Sequence, residues 1–283
     1  MLNIVMDLER HLLGQGLAHR TVTEYCKWGR RLARWCVVHD LDLARLEPWE
    51  LRAWVDSTVP HSRESRKQAH AACRHLFTML GRGDEQPWTA IRVPHKRRGR
   101  PRPLTEPERV RMLQTAQMMG GRAGLATLGM LQTSCRPSEV AVWRWDGITL
   151  FDEPDVAGAC GRLRFYRTKV SDWHEVPLRP SLATALERFR PPTPEGHIFV
   201  GDRGRQHVHP NTVWDWVKEV ARVAGVDDVH PRRLRATAIT RVLESSGLDV
   251  AAELGGHQDP SVTRNYYAAT SWIRLAEGSA ALD

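Results

Sequence analysis

Four stretches of the chain, met in order from the middle to the C-terminus, hold residue types suited to work on a phosphate ester. In Thr133-Ser134-Cys135-Arg136-Pro137-Ser138-Glu139-Val140 an arginine stands at the junction of two predicted helices, and the proline fixes the start of the second. Glu139 lies three residues on, where a helix puts it on the same face as Arg136 and able to orient it. In Arg162-Leu163-Arg164-Phe165-Tyr166-Arg167-Thr168-Lys169 a lysine sits at the turn of a hairpin that closes with Glu175-Val176-Pro177-Leu178. The stretch from His230 to Thr240 gathers Arg232, Arg233 and Arg235 behind a histidine, and Leu254-Gly255-Gly256-His257 precedes Tyr266, nine residues after the histidine. Arginine carries a permanent charge on a planar donor fork that matches phosphate, and lysine is a mobile amine whose pKa moves on desolvation. Each stretch alone has an ordinary reading. Helix arginines usually face solvent, a turn lysine aids solubility, and a histidine followed by a tyrosine is common. Order and spacing make the set distinctive.

The first stretch resembles the T-G-L-R-x-S-E-L box of the tyrosine recombinases, the phage integrase family, in its Xer-like form. The hairpin resembles the family's T-K and V-P-L hairpin, and His230 to Thr240 is similar to its H-P-H-R-L-R-H-T-F-A-T stretch. The last stretch resembles the L-G-H box with the nucleophilic tyrosine nine residues beyond its histidine. That likeness implies Arg136 and Arg235 as catalytic arginines, Lys169 as general acid to the leaving 5′-oxygen, His257 as a hydrogen-bonding partner of the phosphate and Tyr266 as nucleophile. Arg232 stands where the family usually has histidine. A second register, His230 with Arg233, keeps an H-x-x-R but displaces the Leu-Arg-x-Thr pattern, so both registers stay open here. Tyr267 adjoins Tyr266, and the spacing from His257 favours Tyr266.

The implied chemistry is self-consistent. A metal-free cut must neutralise the non-bridging phosphate oxygens as the transition state forms, which Arg136, Arg232 and Arg235 would do. Tyrosine, with an unperturbed pKa of about 10, needs activation by positive potential or a base. A 3′-phosphotyrosine then keeps the bond energy for rejoining without ATP, and no cofactor or metal is implied.

Elements must place these groups. The first ninety residues read as helices only. Thr21-Val22-Thr23-Glu24 has the form of a capping box, followed by an apolar stripe of Tyr25, Trp28, Leu32 and Trp35. A further helix begins near Pro48, with Leu51, Trp54 and Val55 inward. From about Ser62 to Leu80, Ala69, Ala72, Cys73, Leu76, Phe77 and Leu80 follow the spacing of a buried face, while Arg63, Arg66, Lys67, His70 and Arg74 form a row of cations without interleaved acids. That row is either a solvated face or a surface laid against DNA. Between Arg92 and Pro103 the prolines and Gly99 exclude a helix, and Lys96, Arg97, Arg98 and Arg100 extend a linker that tracks a phosphate backbone. Thr105 to Glu108 starts another helix, and helices dominate thereafter except for strands around Leu163 and Phe165 and around Val176 and Leu178, across a polar turn from Lys169 to His174.

The expected fold is mainly α: an N-terminal helical core-binding (SAM-like) domain at 1–90, a basic linker at 91–103, and a mostly helical catalytic domain with a small antiparallel sheet at 104–283. The net charge of +8 makes duplex DNA the expected partner. Family likeness adds a homo-tetramer on two DNA sites, and an apolar tail around Ser271 to Leu275 of the kind relatives dock on a neighbouring subunit. No run of eighteen apolar residues exists, and the N-terminus lacks a secretory core, so neither a membrane partner nor export is expected. Five scattered cysteines without zinc-ligand spacing read as reduced residues in a cytoplasmic protein. Integration, excision and resolution are not separable from sequence. A type IB topoisomerase-like relaxer and a catalytically silent DNA-binding relative are the alternatives, the second kept alive by Arg232.

Binding to duplex DNA is expected to weaken steeply with salt, since each neutralised phosphate releases a counterion. Neutralising Lys96, Arg97, Arg98 and Arg100 together should flatten the plot of log affinity against log salt. An unchanged slope removes the linker from the interface.

Overall fold

Apolar spacing and helix-start residues account for most of the N-terminal unit. A computed structural model describes residues 2–95, 102–167, 172–202, 206–256 and 259–267, with residues 2 and 265–267 described in their backbone only. It divides into two compact units, Met1–Arg98 and Gly99–Asp283. The first holds α1 (Leu2–Gly14), α2 (His19–Val38), α3 (Pro48–Thr58) and α4 (Arg63–Met79), with 3-10 turns at Leu43–Arg45 and Pro87–Ala90. Pro48 opens α3 with its ring already at helical φ, and the Glu47 amide donates to Glu50 at 2.8 Å. Ser62 caps α4 by accepting from the Ser65 amide at 3.2 Å. Leu8, Leu12, Leu32, Trp54, Leu76 and Phe77 fill the core between these helices.

Two expectations for this unit need correction. Helix α2 begins at His19, not at the Thr21 box, and its N-cap Ala18 makes no side-chain bond. Its buried stripe is also turned: Val22, Cys26, Gly29, Ala33 and Cys36 are buried beside Trp28 and Leu32, while Tyr25 and Trp35 sit half-buried at the rim. Large aromatic rings cover core edges well from a flanking position, so aromatic spacing alone misplaced the centre of the stripe.

In the second unit, α5 (Glu106–Met119) starts with the expected box: the Thr105 amide and hydroxyl donate to Glu108 at 2.7 and 2.9 Å. Then come α6 (Gly121–Thr133), α7 (Pro137–Val140), β1 (Ile148–Leu150), β2 (Gly161–Arg167) and β3 (Asp172–Pro177). They are followed by α8 (Pro180–Phe189), α9 (Pro210–Val223), α10 (Pro231–Ser246), α11 (Leu248–Gly255) and α12 (Pro260–Tyr267). The strands form one antiparallel sheet in the order β1-β2-β3, with Leu163 opposite Val176 and Phe165 opposite His174. Strand alternation turns Leu163, Phe165 and Arg167 inward and Arg162, Arg164 and Tyr166 outward. The expected polar turn is shorter than the sequence implied, because Asp172, Trp173 and His174 already belong to β3. β1, which sequence alone did not mark, is held by pairing with β2. The mainly helical fold with a small sheet agrees with expectation.

Helix α6 is buried nearly all round, as its apolar composition requires, and it is the hub of this core. Its neighbours come close only because small residues line it. A β-carbon at Gly124 would collide with the backbone carbonyl of Ala116 on α5, and one at Gly129 with the Trp143 ring. Gly124→Ala should therefore lower stability by about 1–3 kcal/mol, the usual cost of overpacking where the opposing atom is backbone. A denaturant midpoint equal to that of the parent would show that α5 and α6 can separate freely.

Candidate active site

The first arginine box folds as a tight corner. Ser134 caps α6 in a left-handed conformation, with φ of 56°, and Arg136 is the N-cap of α7. From that position both its backbone amide and its guanidinium Nη1 donate to the Glu139 carboxylate, each at 2.7 Å. Glu139 bonds Arg136 across a helix start and not along one helix face as the spacing suggested. The carboxylate is itself 4% exposed, which strengthens the pair relative to one in solvent.

The two registers at the second arginine box separate in space. Arg233 turns toward α5 and binds Glu108 at 2.8 Å and the Asp227 carbonyl at 2.8 Å. Arg235, buried, donates through Nη1 to the Ser134 carbonyl and through Nη2 to the Gly255 carbonyl at 2.6 Å. Arg235 thus joins the loop leading into Arg136 to the end of α11, two residues before His257. His230 serves as the N-cap of α10, its Nδ1 accepting from the Arg233 amide at 3.3 Å, and its ring stacks on Trp214. Arg232 is exposed and makes no hydrogen bond or ion pair among the described residues. Lys169 and His257 lie outside the described residues, as does the tail from Ser271 to Leu275. Tyr266 is on α12, with only its backbone described.

One buried cation was not singled out from sequence. Arg167, at the inward end of β2, is 1% exposed; its Nη2 donates to the Leu254 carbonyl at 3.1 Å and its Nε lies 3.8 Å from Glu139. The signal was present, because strict alternation from Leu163 and Phe165 places residue 167 on the core face. Burial lowers the pKa of Arg167, with Glu139 opposing that shift, and burial followed by the Arg167 charge also lowers that of His174. Ser134 completes the grip on α11, its hydroxyl donating to the Leu254 carbonyl at 2.8 Å. Cys135, adjacent to Arg136, is no rival nucleophile, since burial pushes its thiol up to about 12.

On the N-terminal unit the cation row of α4 is less free than its sequence suggested. Arg63 pairs with Glu64 at 2.8 Å, while Arg66 pairs with Asp56 at 3.2 Å and donates to His61 at 3.0 Å. Lys67 and Arg74 are exposed and make no ion pair among the described residues. Acids from α3 and from the same helix supply partners that a reading of cation spacing alone overlooked. Lys96, Arg97, Arg98 and Arg100 fall outside the described residues.

The family model described as "Phage integrase family" matches residues 102–271, more than half of the 283-residue chain. The chain belongs to the phage integrase family. As a phage integrase it is a tyrosine recombinase, and site-specific recombination, the cleavage and rejoining of DNA, is its reaction. It is 29% identical over 240 residues to "Tyrosine recombinase XerC" of Xanthomonas campestris pv. campestris, covering 80% of this chain and 70% of that protein. A shorter match, 41% identical over 71 residues, is to a "Tyrosine recombinase" of Thermosipho africanus and spans 24% of this chain and 25% of that protein. Among solved structures, XerH bound to difH substrate in a pre-cleavage complex aligns with a TM-score of 0.70 at 15% identity, over 93% of this chain and 79% of that one. A lambda integrase dimer bound to a COC′ core site aligns with a TM-score of 0.70 at 17% identity, over 96% and 79%. At these identities the structural likeness is one of fold. No helix among the described residues is long and apolar enough to cross a membrane, and the five cysteines are unpaired.

The Glu108–Arg233 tie carries a pH signature. Bonds from Thr105, then from Arg233, hold the Glu108 carboxyl down to about 2 from an ordinary 4.5. Its folded-state value is depressed, so the ionised group contributes stability above the ordinary carboxylate range, and that contribution fades as pH falls toward about 2. The stability gap between the parent and Glu108→Gln should be full at neutral pH and should shrink steadily as pH drops below 4.5, as read from urea midpoints. A gap independent of pH over that window would place the contribution elsewhere.

Proposed function

We propose that the chain cuts and rejoins duplex DNA at two specific sites through a 3′-phosphotyrosyl bond at Tyr266, with Arg136 and Arg235 as the clamp on the scissile phosphate. The observation that carries this reading is the pair of bonds from Arg235 to the carbonyls of Ser134 and Gly255. A single side chain draws both arginine boxes and the end of α11 to one place, while Arg233 is committed to Glu108. Tyr266 loses its hydroxyl proton to water under the positive potential of the arginines, its oxygen bonds to phosphorus, and the bond to the 5′-oxygen breaks. Lys169 gives that oxygen its proton, and His257 donates to a non-bridging oxygen. Arg232, exposed at the mouth of α10, reaches the same phosphate in place of the family's usual histidine. Three guanidiniums supply the charge compensation that many nucleases take from metal ions, so cutting needs neither a metal nor ATP.

The N-terminal unit and the basic segment at 91–103 grip the backbone of the duplex, with Lys67, Arg74 and the linker cations positioning it and Arg63 and Arg66 exchanging carboxylate partners for phosphates. The core-binding role belongs to the N-terminal unit and the catalytic role to the C-terminal one. A tetramer on two sites is the active assembly, as strand exchange requires two duplexes cut in register, and the reaction takes place in the cytoplasm, where DNA is found and free thiols persist.

A suicide substrate nicked near the cut should trap an adduct that resists SDS, in EDTA and without nucleotide. Tyr266→Phe should abolish the adduct and leave DNA affinity nearly unchanged, while Tyr267→Phe should still form it. Arg235→Ala should slow cleavage by about 100- to 1,000-fold, as when a donor to a developing oxyanion is removed. Arg233→Ala should instead lower the thermal midpoint and spare the rate. A strict magnesium requirement, an adduct from Tyr266→Phe, or a greater rate loss at Arg233 would each defeat the assignment.

A further inference from the structure

None of the roles assigned above uses Arg167, yet it lies where three of the motifs meet. It ends β2, its side chain 1% exposed, and its guanidinium carbon lies 5.2 Å from the centre of the Phe165 ring. Nη2 donates to the Leu254 carbonyl at 3.1 Å, and Nε stands 3.8 Å from the carboxylate of Glu139 that also holds Arg136 at 2.7 Å. From the other side the backbone of Gly256 closes on the same guanidinium: any β-carbon there would overlap Nη1, and the φ of 55° is one that glycine adopts freely. Nε and Nη1 have no hydrogen-bond acceptor among the described residues. A buried cation with two unmet donors costs stability, and an apolar side chain of similar volume would serve the packing better. The arrangement is therefore poorly explained as a device for folding.

We propose that Arg167 is a positioning residue for the cleavage step. By tying the end of β2 to the Leu254 carbonyl of α11 and standing beside Glu139, it fixes the strand end from which Lys169 follows two residues later. Two elements reached through one planar fork are held in both direction and distance, which a single-point contact such as lysine would not achieve. This inference rests on the reading of Lys169 as general acid, and the test keeps the two apart.

The variant to make is Arg167→Met, which keeps most of the volume and leaves Glu139 paired with Arg136. DNA affinity and the thermal midpoint should stay close to those of the parent, while single-turnover cleavage of the ordinary substrate should fall about 100-fold, the scale of a displacement near 1 Å at reacting groups. The same measurement is then made on DNA with sulfur in place of the bridging 5′-oxygen at the scissile phosphate. Tyr266 oxygen bonds to phosphorus, the phosphorus–sulfur bond breaks, and the thiolate leaves without needing a proton. Most of the lost rate should return on this substrate, in Arg167→Met as in Lys169→Ala. A parental rate for Arg167→Met on ordinary DNA, or an equal loss on both substrates while Lys169→Ala is rescued, overturns the positioning role. Failure of Lys169→Ala to be rescued overturns the general-acid reading itself, and the inference with it.

Discussion

The last carbonyls of a helix have no partner within it, and at the end of α11 that gap is filled by the rest of the C-terminal unit. Leu254 accepts from Ser134 at 2.8 Å and from Arg167 at 3.1 Å, and Gly255 accepts from Arg235 at 2.6 Å. Cations suit this position for a second reason, since the carbonyl end of a helix carries partial negative charge. These bonds run from three separate parts of the chain to one short helix. They fix the end of α11, where Gly256 takes up a left-handed conformation; in sequence His257 comes next, and Tyr266 follows on α12.

The electrostatic design follows from the same clasp. Two guanidiniums, those of Arg136 and Arg167, meet the buried carboxylate of Glu139, so one negative charge faces two positive ones. In a low-dielectric setting an unbalanced positive cluster is costly to keep and correspondingly attractive to an anion that enters it. The net charge of +8 on the whole chain favours the approach of a polyanion at long range. Arg233, two residues from Arg235, is neutralised by Glu108 and stabilises the junction of α5 with α10. Within one turn of α10, Arg233 thus faces Glu108 on α5 while Arg235 faces the carbonyls of Ser134 and Gly255.

Much of this was legible in the sequence because it depends on local rules. The proline at 48, the Thr105 and Glu108 box and the alternation of Leu163 and Phe165 declare their elements through backbone sterics and period alone, and the motif order along the chain carried the family. The same alternation marked Arg167 as an inward charge, although nothing local explained why a cation should point there. The Thr21 box failed because a capping residue works only if the chain before it lies outside the helix, and His19 and Arg20 already belong to α2.

The partners of Arg233 and Arg235 come from contacts between residues more than a hundred positions apart. Arg233 and Arg235 stand on one helix with equal chemistry, and in the sequence only the Leu-Arg-x-Thr pattern favoured Arg235. They are separated by which neighbours the fold brings opposite, Glu108 for one and the Ser134 carbonyl for the other. The cations Arg63 and Arg66 looked alike with Lys67 and Arg74 until nearby acids were set against the first two. By itself, the sequence determined which residue types are present, their order and the helices and strands that carry them, since those follow from covalent geometry and short-range periodicity. Only the tertiary structure decided which charged groups are paired and which converge, because that depends on the packing of α5, α6, α10, α11 and the sheet around one another, and no local rule contains it.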